Sequence, residues 1–401
     1  MKIGVIREAK VPPDSRVPLT PEQCKVLINQ FNHEVVVQPS PKRCIKDVEY
    51  LQAGIPMSED LNDCDILMGV KEVPKENLIA GKIYFFFSHT IKEQVYNRSL
   101  LQEILAKKIQ LLDYEVLTNE KGQRLIAFGV FAGMVGAHNA LWTYAQRTKS
   151  FEFPRMKDLF DYNAAKELYS ATAFPKVKIA LTGNGRVGSG AAQVLRDMGF
   201  NEVKPELFLK EEFDVPVFTI LDCFDYAAPK DGRPFVKSEF YESPKEFKSI
   251  FLPYTEVADI MINGIYWDND APAFFSVKDM QSENFNIKVV ADVTCDIAPI
   301  SSIPSTLFAS TIADPIFGFD PDKNEAVEPH GKGIIDMMTI DNLPNELPRD
   351  ASLSFGQQFL DHIAPELADI ENSNVIKRAS VTKDGKLGEY FEYLKDYVAG
   401  V

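Results

Sequence analysis

Short apolar runs alternate with stretches of helical spacing through the first third of the chain. Lys2–Arg7 reads as a strand, and His33–Val37 (HEVVV), Asp65–Val70, Ile83–Ser88 (IYFFFS) and Gln110–Leu117 repeat the pattern. Between them, Thr20-Pro21-Glu22-Gln23 reads as a helix start, with Thr at the N-cap, Pro at the first helical position and Gln placed to close a capping box. This helix is expected to end near Asn32, and further helices are predicted around Asp47–Ala53 and over Ile91–Ile109. Strands alternating with helices predict a parallel sheet covered on both faces.

The pattern then changes. Leu125–Gln146 is a long apolar stretch of helical spacing that carries Gly129, Gly133 and Gly136. Small residues at that spacing admit a second backbone, which predicts a helix crossing between two domains. Phe153–Pro154 marks a turn, and Met156–Ala171 a further helix. Val177, Ile179 and Leu181 alternate as a strand, and Ala191, Val194, Leu195 and Met198 share one helical face that stops at Gly199. Beyond a short strand at Glu202–Val203, the segment 205–251 is rich in Glu, Phe, Pro and Lys and reads as an insertion. Strands return at Asp259–Asn263, Ile287–Val293 and Ile335–Ile340, and helices close the chain at Ser354–Leu367 and Glu389–Val398.

At 401 residues the chain is long for one core, so two domains are expected. Lys and Arg number 43 against 58 Asp and Glu, a net charge of −15. That balance argues against nucleic acid and anionic membrane as partners, since both reward positive charge. It leaves room for an acidic small molecule in a local cationic pocket. The five cysteines (Cys24, Cys44, Cys64, Cys223, Cys295) are scattered without CxxC spacing, so no metal site or disulfide framework is expected and a reducing cytoplasm fits. Met1–Lys10 reads directly as a first strand with no signal peptide, and no apolar run reaches the ~18 residues that a membrane span requires.

The most informative stretch is KVKIALTGNGRVGSGAAQVLRDMG at 176–199, where Gly183, Gly185 and Gly188 are spaced GxGxxG between strand and helix. That order is the context of a dinucleotide fingerprint. The first glycine permits the tight turn, the second admits a pyrophosphate, and the third lets helix pack on strand. Free N–H groups at the helix start would hold the phosphates, with Arg186 and Val187 in the same turn. Such sites place an acid about 20 residues further on, against the adenosine ribose. Here that region reads Glu202-Val203-Lys204-Pro205-Glu206. Lys204 there suits a 2′-phosphate, whereas Asp222 serves the ribose if Val217–Leu221 is the second strand. NAD is expected, with NADP left open.

Several segments together resemble the alanine dehydrogenase/transhydrogenase superfamily, and most closely its lysine-forming saccharopine dehydrogenase branch. They are REAKVPPDSRVPLTPEQ (7–23), GVKEVP (69–74), FFFSHTIKEQ (85–94), the LDYEVL and GQRLIAFGVFAGMVGA segments between 112 and 137, GNGRVGSGA (183–191), ADIMINGIYW (258–267) and IDNLPNELPRDAS (340–352). The match keeps this order over most of the chain, chiefly leaving out Pro205–Phe251 and Ala271–Asn286. It implies an α/β fold of two Rossmann-like, doubly wound domains with an active-site cleft between them. The first domain would be discontinuous, 1–133 with 345–401, and would bind substrate; 134–344 would bind the dinucleotide.

The resemblance also implies roles. Lys71 and His89, each just past an apolar strand, are the expected acid–base pair. A desolvated lysine and an imidazole both titrate near the working range. Arg16 is expected to grip a substrate carboxylate through two parallel hydrogen bonds, with Lys10 and Arg7 as weaker candidates. Glu72 and Glu115 are placed to tune the lysine and histidine, or form simple salt bridges. Asp341 and Leu343 are expected at the nicotinamide end of the cofactor pocket, with helix capping as the competing reading for Asp341. His330, in a glycine-flanked loop, is a further group able to approach the site.

The implied activity is NAD(P)-dependent oxidation of an amino-acid C–N bond by hydride transfer, reversible as reductive amination of a 2-oxo acid. The partner is then a small amino acid or oxo acid, with the chain a monomer or homo-oligomer. Two alternatives stand beside it: alanine dehydrogenase-like activity on a smaller amino acid, and a nucleotide-binding homologue without turnover. No GxSxG elbow exists to support a hydrolase.

Overall fold

The computed structural model describes residues 1–400. The chain divides into two compact units, Met1–Phe128 with Pro348–Val401, and Gly129–Leu347. Strands are numbered along the chain: β1 (Lys2–Val5), β2 (Glu34–Val37), β3 (Ile66–Met68), β4 (Ile83–Phe86), β5 (Gln110–Asp113), β6 (Lys178–Thr182), β7 (Asn201–Glu202), β8 (Val217–Leu221), β9 (Ala227–Pro229), β10 (Phe247–Ser249), β11 (Ile260–Asn263), β12 (Val289–Asp292), β13 (Ile316–Asp320), β14 (Glu325–Val327), β15 (Ile335–Met338), β16 (Ser380–Lys383) and β17 (Lys386–Leu387).

In the first unit the strand order is β17-β16-β5-β4-β3-β1-β2. β1 to β5 run parallel, while β16 and β17 add an antiparallel edge from the C-terminal segment. Alternate residues of each central strand enter different cores, as the pleat requires. Ile66, Met68, Phe85 and Leu112 join one, with Leu27 of the Pro21–Phe31 helix and Phe355 and Phe359 of the Pro348–His362 helix. Leu67, Tyr84, Phe86 and Leu111 join the other, with Leu101 and Ile104 of the Arg98–Ala106 helix. Phe359 meets Phe85 edge-on with ring centroids 5.6 Å apart, and Phe355 stacks on Phe128 at 4.5 Å. Burying a ring of this size stabilises by roughly 1.5–3 kcal/mol, so aromatic burial as well as the strand edge holds the returning segment.

The start signal at Thr20 forms as read: Gln23 Oε1 accepts from Thr20 N at 2.9 Å, and the helix closes at Asn32 in a left-handed conformation. Two readings need correction. The helix over Ile91–Ile109 begins only at Arg98, because Glu93 takes a positive φ of 57° and interrupts the turn. The strand at Gln110–Leu117 stops at Asp113, whose buried carboxylate accepts from Glu115 N at 2.8 Å and turns the chain into a 3₁₀ segment, Tyr114–Val116.

The second unit has strand order β14-β13-β15-β12-β11-β6-β8-β7, parallel from β15 to β7, with β13 and β14 forming an antiparallel edge. The predicted apolar helix is Gly129–Thr148, and its glycines serve a contact within this unit. A Cβ on Gly133 would lie 1.8 Å from the Val187 carbonyl oxygen, and one on Gly190 2.0 Å from that of Val130. Two helices therefore meet backbone to backbone. The helix expected over Met156–Ala171 is interrupted; it restarts at Tyr162, where Asp161 accepts from Ala164 N at 2.9 Å.

The insertion reading of 205–251 is corrected in part. Val217–Leu221 is β8, paired in parallel with β6 and integral to the sheet. The acidic and Pro-rich flanks that suggest an insertion are the short Pro205–Lys210 helix before it and a β9–β10 hairpin after it. No helix of the described residues is long and apolar enough to cross a membrane.

Candidate active site

In the first sheet β1 lies between β2 and β3, so the connection leaving β1 runs to one side and that leaving β3 to the other. Ligands of open α/β sheets gather at such a switch point. The segments that follow β1, β3 and β4 all emerge along this edge. Glu8 and Lys10 follow β1, Lys71 and Glu72 follow β3, and His89 follows β4.

Glu72 is the centre of the group. One carboxylate oxygen lies 2.5 Å from His89 Nδ1 and the other 2.9 Å from Lys10 Nζ. Burial pushes the Glu72 carboxyl upward, but the His89 and Lys10 contacts outweigh it and hold it down at about 2. An ionised Glu72 requires the proton on His89 Nδ1, which leaves Nε2 as the exchanging nitrogen. His89 takes a positive φ of 53°, and the residues on either side are pinned. Ser88 N donates to buried Asp113 at 2.9 Å, and the Ser88 and Thr90 hydroxyls bond at 2.7 Å. A side chain held in a strained backbone position fits a functional constraint.

Lys71 is partly buried, and its ammonium is destabilised first by that burial and then by the charge of Arg16, so its pKa is lowered. Its backbone N–H donates to Glu8 Oε2 at 2.9 Å. Glu115 accepts from Arg124 Nη2 at 2.8 Å and lies 3.4 Å from Lys92 Nζ. Burial raises the Glu115 pKa, but those cations, with a smaller contribution from His89, bring it below the ordinary value.

Arg16 stands differently from the expectation. Its Nε and Nη2 close on the two Asp14 oxygens at 2.9 and 2.6 Å, both residues are buried, and the guanidinium lies 4.3 Å from the Phe128 ring centroid. The two-bond grip expected for a substrate carboxylate is thus made with Asp14. Lys10 faces Glu72, and Arg7 pairs with Glu59.

In the second unit the glycine turn joins β6 to the Arg186–Asp197 helix. Gly183 has φ 94°, and a Cβ there would meet the Gly264 carbonyl oxygen at 2.7 Å. A Cβ on Gly188 would meet the Gly183 oxygen at 1.9 Å, whereas one on Gly185 would have no neighbour within 4 Å. Gly183 and Gly188 therefore serve the turn itself, and Gly185 leaves backbone open to a ligand. Val187 is used internally, against Gly133 and Gly264. Arg186 is an exposed residue at the helix start.

Asp222 directly follows β8, the strand beside β6, and its Oδ2 accepts from Asn184 Nδ2 at 2.7 Å. Lys237 Nζ lies 2.7 Å from the same carboxylate. Burial raises the Asp222 pKa, but Lys237 and the Cys223 N–H lower it below the usual carboxylate value. Asp341 is exposed just past the parallel strand β15; Asn342, not Asp341, holds the N-cap position of the 3₁₀ turn that follows, and Leu343 is buried. Lys204 lies beyond β7 at the sheet edge, two strands from β6.

Residues 4–135 match the family described as the alanine dehydrogenase/PNT N-terminal domain. A solved L-alanine dehydrogenase superposes with a TM-score of 0.67 at 13% identity, covering 100% of this chain and 99% of its own. The chain has the alanine dehydrogenase fold. A transhydrogenase from Sinorhizobium meliloti has the same fold, with a TM-score of 0.59 at 13% identity over 96% of this chain and 100% of its own. Among curated relatives, an alpha-aminoadipic semialdehyde synthase of Arabidopsis thaliana is 29% identical over 98% of this chain and 41% of its own length. The chain thus spans less than half of that relative. A saccharopine dehydrogenase [NAD(+), L-lysine-forming] of Emericella nidulans is 28% identical over 94% of this chain and 95% of its own.

Two Rossmann-like units follow from the sheet orders, and the Emericella nidulans relative is by name an NAD(+) enzyme. The glycine turn of this chain has room for a dinucleotide, since a Cβ on Gly185 would meet no atom within 4 Å. Of the residues singled out by sequence, Lys71, Glu72, His89 and Glu115 share one edge of the first sheet. Gly183, Gly185, Gly188, Arg186 and Asp341 follow the carboxyl ends of β6 and β15 in the second. His330 does not join them. Its Nδ1 lies 2.8 Å from Asp336 Oδ2, at the amino end of β15. Sequence reading missed Glu8 and Asp14, whose pairing depends on contacts that spacing does not reveal.

Proposed function

We propose that the chain is an NAD-dependent amino-acid dehydrogenase of the saccharopine, lysine-forming type. The observation that carries this reading is the Lys10–Glu72–His89 chain beside Lys71. It supplies two proton-exchanging groups of different character on one sheet edge. Oxidation of a secondary amine and hydrolysis of the resulting imine need two proton acceptors. Lys71, with its ammonium disfavoured by burial, takes the proton from the substrate amine. His89 Nε2 takes a proton from water as it adds to the imine carbon, and Glu72 stabilises the imidazolium that forms. Glu115 adds a second negative charge within range of His89. A substrate carboxylate reaches Arg16 by taking the place that Asp14 holds.

The nicotinamide accepts the hydride when bound. Gly183, Gly185, Gly188 and the N–H groups from Arg186 onward hold the pyrophosphate. Asp222 accepts from the adenosine ribose hydroxyls, and its negative charge beside that ribose favours NAD over NADP. Asp341 and Leu343 belong to the nicotinamide end.

The test is spectrophotometric: NADH formation with saccharopine, with release of lysine followed by mass spectrometry and alanine run in parallel. NADH with saccharopine and not with alanine is the expected result. Turnover of alanine instead would move the activity to the smaller substrate. Binding of NADH without turnover of either would overturn the enzymatic reading.

A further inference from the structure

The acid–base pair accounts for Lys71 and His89 but leaves one half-buried carboxyl, that of Glu8, on the same edge without a role. Past Ile6, whose N–H bonds to the Met68 carbonyl at 3.0 Å, β1 no longer supplies the sheet partner of the β3 strand. Glu8 supplies it with its side chain. Oε1 accepts from Val70 N at 2.6 Å and Oε2 from Lys71 N at 2.9 Å. These are the two residues at which the chain leaves the sheet, and the second of them is Lys71 itself. A Cβ on Gly69 would come within 3.3 Å of Oε1, so the carboxylate also lies against the preceding residue.

The groups facing Glu8 are few. Asp14 and Arg16 act on it from the loop that follows, the Val70 and Lys71 amides from the β3 exit, and Tyr114 from the end of β5. The Tyr114 hydroxyl is fully buried and makes no hydrogen bond among the described residues. It offers Glu8 no compensating donor. Burial is the largest influence and pushes the Glu8 carboxyl up to about 7, against the pull of the two amides.

We propose that Glu8 is a positioning residue for Lys71, its ionised carboxylate fixing the backbone from which the lysine departs and its protonation releasing that hold. The neutral acid keeps one good acceptor for two N–H groups, so one of the Val70 and Lys71 bonds is lost when Glu8 takes a proton. Lys71 is then delivered less accurately to the substrate amine, and small misplacements of a catalytic group cost rate steeply. Its effect on turnover rests on the dehydrogenase reading; its effect on the Lys71 amide does not.

Both are measurable. In protein labelled with ¹⁵N-lysine, the Lys71 amide, assigned by its absence in Lys71→Arg, is followed against pH. It is expected to move with a midpoint near 7, and in Glu8→Gln to stay constant. An amide that does not titrate in the parent, or that titrates unchanged in Glu8→Gln, overturns the proposal even if the protein proves inactive. In the kinetic arm, Glu8→Gln is expected to lower kcat/KM on the order of tenfold above neutrality and to take one ionisation out of the acidic limb, making it less steep, with NADH affinity unchanged. A profile scaled down with the steepness of its limb intact would assign Glu8 a structural role only. Failure of the parent to turn over any substrate would overturn the dehydrogenase reading and leave the amide titration standing.

Discussion

The glycine turn allows a pocket effect and a packing effect to be separated three residues apart. Gly188→Ala places a methyl group 1.9 Å from the Gly183 carbonyl oxygen, where real Cβ contacts do not fall below 3.0 Å. Backbone on both sides must therefore move by about 1 Å, and overpacking of this kind costs roughly 1–3 kcal/mol or more. In a unit of this size each kcal/mol lowers Tm by about 2–4 °C, so a fall of about 2–12 °C is expected. Gly185→Ala meets no atom within 4 Å, and its φ of −78° and ψ of −160° suit alanine. The unfolded chain loses entropy worth about 0.4–1 kcal/mol, which offsets the weaker N-cap, worth about 1 kcal/mol. Its Tm should hardly change. The methyl group instead occupies the approach of the pyrophosphate and should weaken NADH binding at least tenfold, or about 1.4 kcal/mol. Thermal scans with and without NADH, alongside a fluorescence titration, read both effects. Saturating NADH at about 100 times Kd adds about 2.7 kcal/mol to the parent, and that gain should shrink in Gly185→Ala. Parental NADH affinity in Gly185→Ala, or equal destabilisation of the two variants, would refute the reasoning.

Further expectations concern the charged groups. Lys71→Met and His89→Gln should each lower kcat far more than NADH affinity; equal loss of both in kinetic and binding assays would make them structural. Asp222→Ala removes a charged acceptor worth about 1.5–3 kcal/mol, so NAD affinity should fall about tenfold or more while NADP affinity holds or rises, measured by titration with both cofactors. Glu72 is lowered from 4.5 to about 2 in the fold, so its contribution is present above 4.5 and lost as pH falls through about 2. It amounts to about 3 kcal/mol at neutral pH. The Tm gap between the parent and Glu72→Gln should therefore be widest near neutrality and close toward pH 2; a gap independent of pH would count against the ion-pair account.

Much of the fold was legible because its signals are local. The Thr20 start, the Asn32 stop and the strand–glycine–helix order each act within a few residues. The strand pattern placed Lys71 and His89 just past apolar strands, while the roles expected of them came from the family resemblance. What stayed open or escaped depends on distant partners. Asp222 was only one of two readings because it stands 38 residues after Asn184, about twice the usual spacing; β7 and the Pro205–Lys210 helix intervene before Val217–Leu221 pairs with β6. The strands β13, β14, β16 and β17 were missed because none offers a long apolar run: β14 and β17 are short, exposed edges, β16 has Val381 as its one apolar residue, and Gly318 interrupts β13. The pairing of Arg16 with Asp14 could not be read from spacing, since it is recognisable only from the folded loop.

Strand order explains why the charged groups of the first unit meet at all. Parallel neighbours lie about 4.8 Å apart, so side chains leaving adjacent strands at one edge can touch, and those two strands apart seldom do. β3 has β4 on one side and β1 on the other. Glu72, leaving β3, is therefore flanked by His89 from β4 and by Lys10 from β1, and it reaches both, at 2.5 and 2.9 Å. Had the sheet followed chain order, β2 would stand between β1 and β3, putting the Lys10 strand about 10 Å from that of Glu72. Glu72 would then face His89 with one cation fewer to offset its burial. The same exchange puts the Glu8 carboxylate beside the Lys71 amide. The crossover that carries β2 to the outer edge is thus what brings the residues after β1 to those after β3.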